Sequence, residues 1–341
     1  MLILGFETSC DDTGVGIVDD KRVIHANVVA SQLEAHQPYG GVVPEIAARA
    51  HLDIIDHVVA QALRDAAIDF ADLSGVAATT GPGLIGGVMV GSMMAKAIAA
   101  VRNLPFISVN HLEAHALTAR LTDNVVFPYL LLLASGGHCQ LLLVRNVGDY
   151  KLLGRTIDDA VGECFDKCAK MLGLGYPGGP LIEEAAKTGN PKAFDLPRPL
   201  AGRAGCDFSF SGLKTAVRTF IEGRDLTPLL VADMAASLQN AIAESIADRA
   251  RHAFAMLKED GQAMTAFVAA GGVAANQTLR ARLTDIAAEN NVGFVAPPPK
   301  LCTDNGVMVA WAGLERMRLG LTDPLDAKAR PRWPLEEVRT L

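Results

Sequence analysis

The chain has 341 residues, of which 50% are hydrophobic and 20% are charged, so we expect a globular protein with more than one hydrophobic core. Its 31 basic and 38 acidic side chains give a formal net charge of −7, which argues against a protein that holds nucleic acid alone through a strongly basic surface. The six cysteines include no C-x-x-C pair, which excludes a disulfide-scaffold pattern and favours a reducing compartment.

The first half of the chain predicts alternating strands and helices. Residues 2–6 and 15–18 predict two strands, joined by a polar turn at 7–14 that begins with Glu7 and contains the candidate phosphate-binding residues Thr8, Ser9, Cys10 and Asp11. Hydroxyls and backbone N–H groups in such a turn suit a phosphate group and its carboxylates suit a cation, with an ordinary β-turn as the alternative. The next predicted elements are a strand at 23–30, a helix at 44–67, a strand at 76–80, a glycine turn at 81–87, a helix at 88–102 and a strand at 106–109. On the helix at 44–67, Arg49, His51 and Asp53 are expected on the solvated face.

Neither a signal peptide nor a membrane span is predicted. The start of the chain is apolar but has no basic segment, and acidic residues arrive at Glu7 and Asp11. The apolar stretch at 88–101 contains Ser92 and Lys96 and is shorter than the hydrocarbon core of a bilayer requires. We therefore expect a cytoplasmic protein with no membrane contact.

A pair of histidines begins the next predicted helix, at 111–121. His111 and His115 are four residues apart, so both imidazoles lie on one helix face and can bind one metal ion. Asp304, directly before a predicted helix at 305–319, is the candidate third ligand, because two histidines and a carboxylate suit Fe(II) or Zn(II). Two unrelated helix histidines, and an aspartate that only caps its helix, are the alternatives.

The residue that separates this pattern from a peptidase is Leu112. In the zinc peptidase motif H-E-x-x-H the glutamate directly follows the first histidine and activates the metal-bound water. Here Leu112 takes that place, and Glu113 points to nearly the opposite side of the helix. The peptidase interpretation therefore lacks its general base.

The second half repeats the pattern of the first. A strand at 129–133, a tight turn at 134–138 and a returning strand at 140–144 resemble the N-terminal hairpin, and the strand and Gly271–Gly272 turn at 266–276 resemble residues 76–102. We interpret the chain as an internal duplication of two α/β halves.

Three further features of the second half bear on structure and binding. Asp158 is predicted to cap a helix that buries Cys164 and Cys168. The stretch at 190–212 is basic, rich in turns and interleaved with aromatic residues, so either it contacts RNA, with Arg203 and Lys214 as candidates, or it is a plain surface insertion. The basic tail at 328–334 is predicted to be mobile.

Several motifs together resemble those of one family, the TsaD (also Gcp or Kae) tRNA N6-adenosine threonylcarbamoyltransferases. They are HLEAH at 111–115, SGGH at 135–138, GECFDK at 162–167, YPGGP at 176–180, GGVAAN at 271–276 and CTDN at 302–305. The resemblance runs from Phe6 to about Ala312, which is nearly the whole chain. The order and number of the motifs make the resemblance highly specific.

The resemblance implies an α/β fold of two duplicated actin-like, or ribonuclease H-like, lobes with a ligand cleft between them. The expected N-terminal lobe comprises residues 1–127 and about 305–341, and the expected C-terminal lobe comprises residues 128–304 with 190–212 inserted. The family transfers the threonylcarbamoyl group from threonylcarbamoyl-AMP to N6 of the adenosine 3′ of the anticodon, in tRNAs that read codons beginning with A. An acyltransferase of tRNA modification is therefore expected.

The resemblance also implies site residues, a cofactor and partners. His111, His115 and Asp304 would bind one divalent metal per subunit, with Fe(II) preferred and Zn(II) the alternative. The substrate-binding residues would be Ala134, Ser135, Gly136, Gly137, His138, Asp166, Gly179, Glu183 and Asn276. The expected partners are a TsaB-like paralogue and a TsaE-like ATPase. No residue can be named as the base for N6.

Three rival functions stay open at this point. The first is a metallopeptidase of the sialoglycoprotein endopeptidase type, which Leu112 disfavours. The second is a small-molecule kinase, although kinases of this fold use a carboxylate base and Mg²⁺ where this chain has a histidine pair. The third is a non-catalytic nucleotide-binding partner subunit, against which the intact His111, His115 and Asp304 set argues.

Overall fold

The computed structural model describes residues 1–39 and 41–338. These residues divide into two compact units. The first contains Met1–Asn124, Asn146–Tyr150 and the described residues from Thr303 onwards, and the second contains Val125–Arg145 and Lys151–Cys302. Of the range expected for the N-terminal lobe, Gly40 and residues 339–341 lie outside the described residues.

The first unit is built on a five-stranded sheet whose order is β3-β2-β1-β4-β5. The first three strands form an antiparallel meander, while β4 and β5 run parallel to β1. The strands are β1 (Leu2–Glu7), β2 (Asp12–Asp19), β3 (Ile24–Ser31), β4 (Gly75–Gly81) and β5 (Phe106–Asn110). The helices between them are α1 (Leu33–His36), α2 (Pro44–Ala66) and α3 (Ile85–Arg102), and α4 (His111–Thr122) follows β5.

The second unit repeats this topology. Its sheet has the order β10-β9-β6-β7-β8, which read from the other edge is the order of the first sheet, with an antiparallel β6–β7 pair and parallel β9 and β10. The strands are β6 (Tyr129–Ala134), β7 (Cys139–Asn146), β8 (Asp149–Arg155), β9 (Ala266–Ala270) and β10 (Gly293–Val295). The helices are α5 (Val161–Met171), α6 (Gly178–Ala186), α7 (Ser211–Ile221), α8 (Pro228–Glu259), α9 (Gln277–Glu289) and α10 (Pro299–Cys302). The predicted duplication is confirmed.

A last helix, α11 (Gly306–Arg318), returns to the first unit and packs on β1 and β2. The contact is backbone against backbone, because glycines meet on both sides. A Cβ on Gly306 would lie 2.1 Å from the backbone nitrogen of Gly16, and a Cβ on Gly16 would lie 2.3 Å from that of Val307. Real Cβ atoms do not approach so closely, so this packing requires glycine. It fixes the start of α11, and with it the preceding Asp304.

Two side chains lie where local sequence pattern did not place them. His51 is fully buried, in line with Ala47 and Ile55 on the inner face of α2, and not on a solvated face. Its ring contacts the Thr13 hydroxyl at 2.7 Å. Asp158 does not cap α5, which begins after Ala160 without a side-chain cap. Asp158 instead accepts hydrogen bonds from the Ser209 hydroxyl and the Phe210 N–H, because the chain before α7 returns to it.

The basic tail is tied down along the first sheet, so the expectation of a mobile tail is wrong. Asp323 accepts a hydrogen bond from the Ser108 N–H at 2.8 Å, and the Arg330 N–H donates to the Thr80 carbonyl at 2.7 Å. The indole of Trp333 is buried. The tail therefore covers the ends of β4 and β5, next to the start of α4.

Among the helices of residues 1–39 and 41–338, α3 is the one whose length and composition would allow it to cross a membrane. It is longer than the predicted helix because it begins at Ile85. One such helix is weak support for a membrane span, since the core helices of many proteins have a similar length and apolar composition. Here α3 packs on α2 and β4, and the Lys96 ammonium lies over the Phe106 ring at 5.4 Å.

Candidate metal centre and nucleotide-binding turns

The histidine helix starts at a well-defined point. Strand β5 ends at Asn110, whose side-chain oxygen accepts from the backbone N–H groups of Leu112 at 2.9 Å and Glu113 at 3.4 Å. This cap satisfies donors that would otherwise be unpaired at the helix end. The Asn110 amide also donates to the Trp333 carbonyl at 2.9 Å. His111 is therefore held as the first residue of α4.

The three predicted metal ligands meet in the first unit. Asp304 Oδ1 lies 3.6 Å from His111 Nε2 and 3.1 Å from His115 Nε2, and the three ligand atoms all lie within 4.8 Å of one another. Bonds of about 2.0–2.1 Å in a tetrahedral site place neighbouring ligand atoms roughly 3.3 Å apart. The donor types and their spacing thus fit one divalent metal ion. Both imidazoles are buried, whereas the Asp304 side chain is 26% exposed.

Asp304 does not serve as a helix cap. The cap of α11 is Asn305, whose side-chain oxygen accepts from the Met308 N–H at 3.0 Å. The carboxylate of Asp304 faces the histidines of α4 instead. Capping of α11 by Asp304 is thus excluded, and its role as a metal ligand stays a prediction.

Glu7 was expected only as part of the polar turn, and its contact with the candidate ligand His111 was not predicted. It closes β1, is fully buried, and lies 2.9 Å from His111 Nδ1 through Oε2. Burial by itself raises the pKa of Glu7, but the charge and hydrogen bond of His111 outweigh it and the pKa falls below its usual value. Burial likewise opposes protonation of His111, and Glu7 together with Asp304 outweighs it and raises the pKa of His111 to about 9. An acidic residue at the end of an otherwise apolar strand was the available signal.

Glu113 lies apart from the metal ligands, as predicted. It is fully buried and accepts hydrogen bonds from the Tyr150 hydroxyl at 2.8 Å and the Arg316 guanidinium at 3.2 Å. Burial raises the pKa of Glu113, and Arg316 and Tyr150 oppose the rise. Its carboxylate is committed to this network and is not available to activate water at the histidine pair.

The predicted phosphate turn at 8–11 makes many contacts inside the first unit. The Thr8 hydroxyl donates to the Gly87 carbonyl at 2.8 Å, and the Ser9 hydroxyl lies 3.2 Å from His111 Nδ1. The Cys10 carbonyl faces His51 Nε2 at 3.2 Å, and the Asp11 carbonyl accepts from the Gln32 N–H. The turn thus supports the metal centre directly. A phosphate role for Thr8, Ser9, Cys10 and Asp11 stays a prediction.

Asp12 follows this turn and is electrostatically strained. Its Oδ1 is buried and has no hydrogen-bond partner within residues 1–39 and 41–338. Burial, and next the neighbouring carboxylates of Asp11, Asp304 and Glu7, raise the pKa of Asp12 to about 6 despite a hydrogen bond from Ser31. The folded protein therefore resists ionisation of Asp12.

The first testable consequence concerns Asp12→Asn. The pKa near 6 in the folded chain lies above the value of about 3.9 in an unfolded chain. The destabilisation caused by ionising Asp12 in the folded protein is therefore absent below about pH 4, grows between about pH 4 and 6, and is complete above about pH 6. We expect the substitution to stabilise the chelator-treated protein by about 2 kcal/mol at pH 7.5 and to change little at pH 4. Thermal unfolding at both pH values measures this, and an unchanged or lower Tm at pH 7.5 would refute it.

In the second unit, the predicted substrate residues lie on adjoining turns. The turn after β6 is closed by the Ser135 N–H donating to the His138 carbonyl at 2.8 Å. A Cβ on Gly271 would lie 2.4 Å from the Ala134 carbonyl, and a Cβ on Gly162 would lie 2.8 Å from Gly136 Cα. The β6–β7 turn, the start of α5 and the turn after β9 are therefore in direct backbone contact.

The remaining predicted residues extend this chain of contacts. Asp166 accepts from the Gly178 N–H at 2.7 Å, which joins α5 to the start of α6 beside Gly179. Glu183 accepts from the Gln277 N–H at 2.7 Å, and Asn276 caps α9 through a bond from the Leu279 N–H. Glycine turns and helix starts of this kind can approach a nucleotide closely. Their role as ligands of a nucleotide stays a prediction.

The two candidates for tRNA contact also lie in the second unit. Arg203 is exposed in the segment before α7. Lys214 lies on α7 with its ammonium 3.7 Å from an Asp159 carboxylate oxygen. Their contact with RNA stays a prediction.

Known proteins are similar to this chain in sequence and in fold. The TsaD family model, described as tRNA N6-adenosine threonylcarbamoyltransferase, matches residues 23–311. A relative of that name from Paramagnetospirillum magneticum is 58% identical over 98% of this chain and 97% of its own length. One from Rhodospirillum rubrum is 58% identical over 98% and 94%.

Solved structures add support for the fold alone. The alignment with the HypF protein of T. kodakarensis covers 94% of this chain and 48% of the HypF chain, with a TM-score of 0.62 at 17% sequence identity. The two sheets of repeated order thus belong to the actin-like class of α/β folds. On sequence, the chain belongs to the TsaD family of tRNA N6-adenosine threonylcarbamoyltransferases.

Proposed function

We propose that this chain transfers the threonylcarbamoyl group from threonylcarbamoyl-AMP to N6 of the adenosine 3′ of the anticodon, in tRNAs that read ANN codons. The observation that carries the proposal is the convergence of His111, His115 and Asp304 on one point in a chain that belongs to this family. The family supports tRNA modification in general, and the donor, the modified nucleoside and the ligand roles are our proposal.

The reaction needs positioning more than a protein nucleophile. N6 attacks the carbamoyl carbon, the bond from that carbon to the AMP phosphate oxygen breaks, and N6 loses one proton. AMP is a good leaving group, so no activated serine or cysteine is required. We assign the phosphate and acyl portion to the turn at 134–138, and the adenosine and ribose to Asp166, Gly179, Glu183 and Asn276.

The metal is held by His111, His115 and Asp304 in this proposal, with Fe(II) preferred and Zn(II) the alternative. When bound, it supplies a Lewis acid for the carbamoyl and phosphate oxygens of the donor. The protein contributes the geometry: the Asn110 cap sets the start of α4, and the glycine contact of α11 sets Asp304. Orientation of this kind is a major source of rate enhancement in group transfer.

The rival functions fit the site less well. A metallopeptidase needs a base beside the metal, whereas Leu112 stands in the peptidase position and Glu113 is bound to Tyr150 and Arg316. A non-catalytic partner subunit has no need for three converging ligand atoms. Transferase activity is the function that uses all of these features.

We further propose that the chain works in the cytoplasm, without membrane contact, together with a TsaB-like paralogue and a TsaE-like ATPase. An exposed apolar surface on α3 supports the proposal of a protein partner. Ile85, Met89 and Met93 lie one turn apart on α3 and are about half exposed, and an apolar stripe of this kind is a common interface feature. Shared tRNA binding, to which Arg203 and Lys214 contribute, would suit the net charge of −7.

The test is a nucleoside analysis. Unmodified tRNA is incubated with threonylcarbamoyl-AMP, this chain and the two partner proteins with ATP, then digested and analysed by mass spectrometry. We expect threonylcarbamoyladenosine in a tRNA that reads an ANN codon, and none in the same tRNA with guanosine 3′ of the anticodon. Absence of the product in the first tRNA, with folded and metal-loaded protein, would overturn the proposal.

A further inference from the structure

We propose that Glu7 is a positioning residue of the metal centre, which fixes His111 in the tautomer that leaves Nε2 free to bind metal. The inference rests on the metal site of the proposed function but not on the transfer reaction itself. The pattern of β1 marks Glu7 as an unusual acidic residue at a strand end, but it does not indicate His111 as the partner, because the two are 104 residues apart in sequence.

The carboxylate of Glu7 is surrounded by hydrogen-bond donors. The Ser9 N–H donates to Oε1 at 2.6 Å, and the Thr79 hydroxyl donates to Oε2 at 2.6 Å. His111 Nδ1 lies 2.9 Å from the same Oε2. A carboxylate that is ionised only accepts hydrogen bonds, and Glu7 is fully buried, where an unmet acceptor is costly.

This arrangement determines which nitrogen of His111 keeps its proton when the ring gives up the other one. Facing an acceptor, Nδ1 must donate, so in the neutral ring Nε2 has the free lone pair. Nε2 is also the atom that faces Asp304, at 3.6 Å. The Ser9 hydroxyl near Nδ1 does not decide the tautomer, because a hydroxyl can donate or accept. Carboxylate partners commonly orient metal-binding histidines in this way.

His115 has no equivalent support. Its Nε2 faces Asp304 at 3.1 Å, but its Nδ1 is buried without a hydrogen-bond partner in the part of the chain that the structure describes. No hydrogen bond to Nδ1 therefore sets the tautomer of the His115 ring. The two histidines are unequal, because among the described residues only the Nδ1 atom of His111 has a carboxylate partner.

Glutamine at position 7 has the same shape but the wrong pattern of donors. If its amide nitrogen faces the Ser9 N–H, two donors meet in a buried place. If the amide nitrogen faces His111 instead, Nδ1 of His111 must accept a hydrogen bond. The ring proton then lies on Nε2, where it blocks metal binding. Either arrangement weakens metal binding although the side-chain volume is preserved.

The chain offers a matched control in Glu113→Gln. Glu113 is also a fully buried glutamate of the first unit, bonded to a hydroxyl and a cation, and it lies between the two histidines in sequence. Its carboxylate touches Tyr150 and Arg316 and neither histidine. A loss of metal affinity that came only from disturbed packing would appear in both variants.

The experiment uses the full chain with Zn²⁺ alone, titrated against a chromophoric chelator of known affinity. We expect Glu7→Gln to bind Zn²⁺ about 10- to 100-fold more weakly than the unaltered chain, as for other outer carboxylates of metal sites. Glu113→Gln should stay within about twofold while both variants keep their circular dichroism spectra. An affinity of Glu7→Gln within twofold, or an equal loss in Glu113→Gln, would overturn the proposal.

A second measurement remains decisive if Glu7→Gln does not fold. In the Zn²⁺-loaded unaltered chain with ¹⁵N-labelled histidine, the His111 ring should show a proton on Nδ1 and metal on Nε2, assigned by comparison with His111→Asn. Metal on Nδ1, or an unprotonated Nδ1, would overturn the proposal. Because neither readout uses tRNA, a failure of the transferase proposal is distinguishable from a failure of this one.

Discussion

Alanine in place of His111, His115 or Asp304 should remove the bound metal and abolish transfer to tRNA, while the chain stays folded. Each residue supplies one of the three converging ligand atoms, so the loss in metal affinity should exceed the roughly 100-fold that outer residues of a metal site contribute. Metal content after gel filtration, circular dichroism and threonylcarbamoyladenosine formation are the three measurements.

A matched control for these variants is His252→Ala. His252 lies on α8 of the second unit, and its ring contacts the Asp248 carbonyl at 2.8 Å, away from any predicted ligand. We expect this variant to keep its metal and its activity. Metal loss in His252→Ala equal to that in His111→Ala would show that metal content reports general damage, not ligand removal.

Gly306→Ala should destabilise the protein by about 3 kcal/mol or more and weaken metal binding as well. The added Cβ would lie 2.1 Å from the Gly16 nitrogen, so α11 must move away from β1 and β2, and overpacking of this kind costs about 1–3 kcal/mol or more. Since Asp304 directly precedes the contact, the movement displaces the third ligand. Thermal unfolding and Zn²⁺ affinity measure the two effects.

Gly212→Ala provides the comparison for this substitution. Gly212 lies in α7, has no atom within 4 Å of the position of a Cβ, and should gain up to about 1 kcal/mol from the higher helix propensity of alanine. If Gly306→Ala were as stable as Gly212→Ala, the close backbone contact of α11 would not be what holds Asp304 in place.

Local patterns were sufficient for most strands and helices and for the choice of His111, His115 and Asp304 as candidate metal ligands. The repeated order of strand, turn and helix predicted the duplication that the two sheets confirm. The spacing of His111 and His115 predicted a shared helix face, and the structure brings the predicted Asp304 beside both histidines. These features could be predicted because periodicity and spacing along the chain determine them.

Contacts distant in sequence could not be predicted in this way. Glu7 reaches His111 across 104 residues, and no spacing rule connects a strand end to a later helix. His51 was misplaced because α2 offers two apolar stripes, and the packing of α2 on β2 and β3 decides which one is buried. Asp158 was misplaced because Ser209 and Phe210 return to it from the loop before α7.

The most direct test of the central claim compares the unaltered chain with the His111→Ala/His115→Ala variant in one nucleoside assay. Both are given the same partners, threonylcarbamoyl-AMP and tRNA, and the metal bound to each is quantified. The metal site proposed here predicts threonylcarbamoyladenosine with the unaltered chain and none above the protein-free control with the metal-free variant. Full activity of the metal-free variant would contradict it.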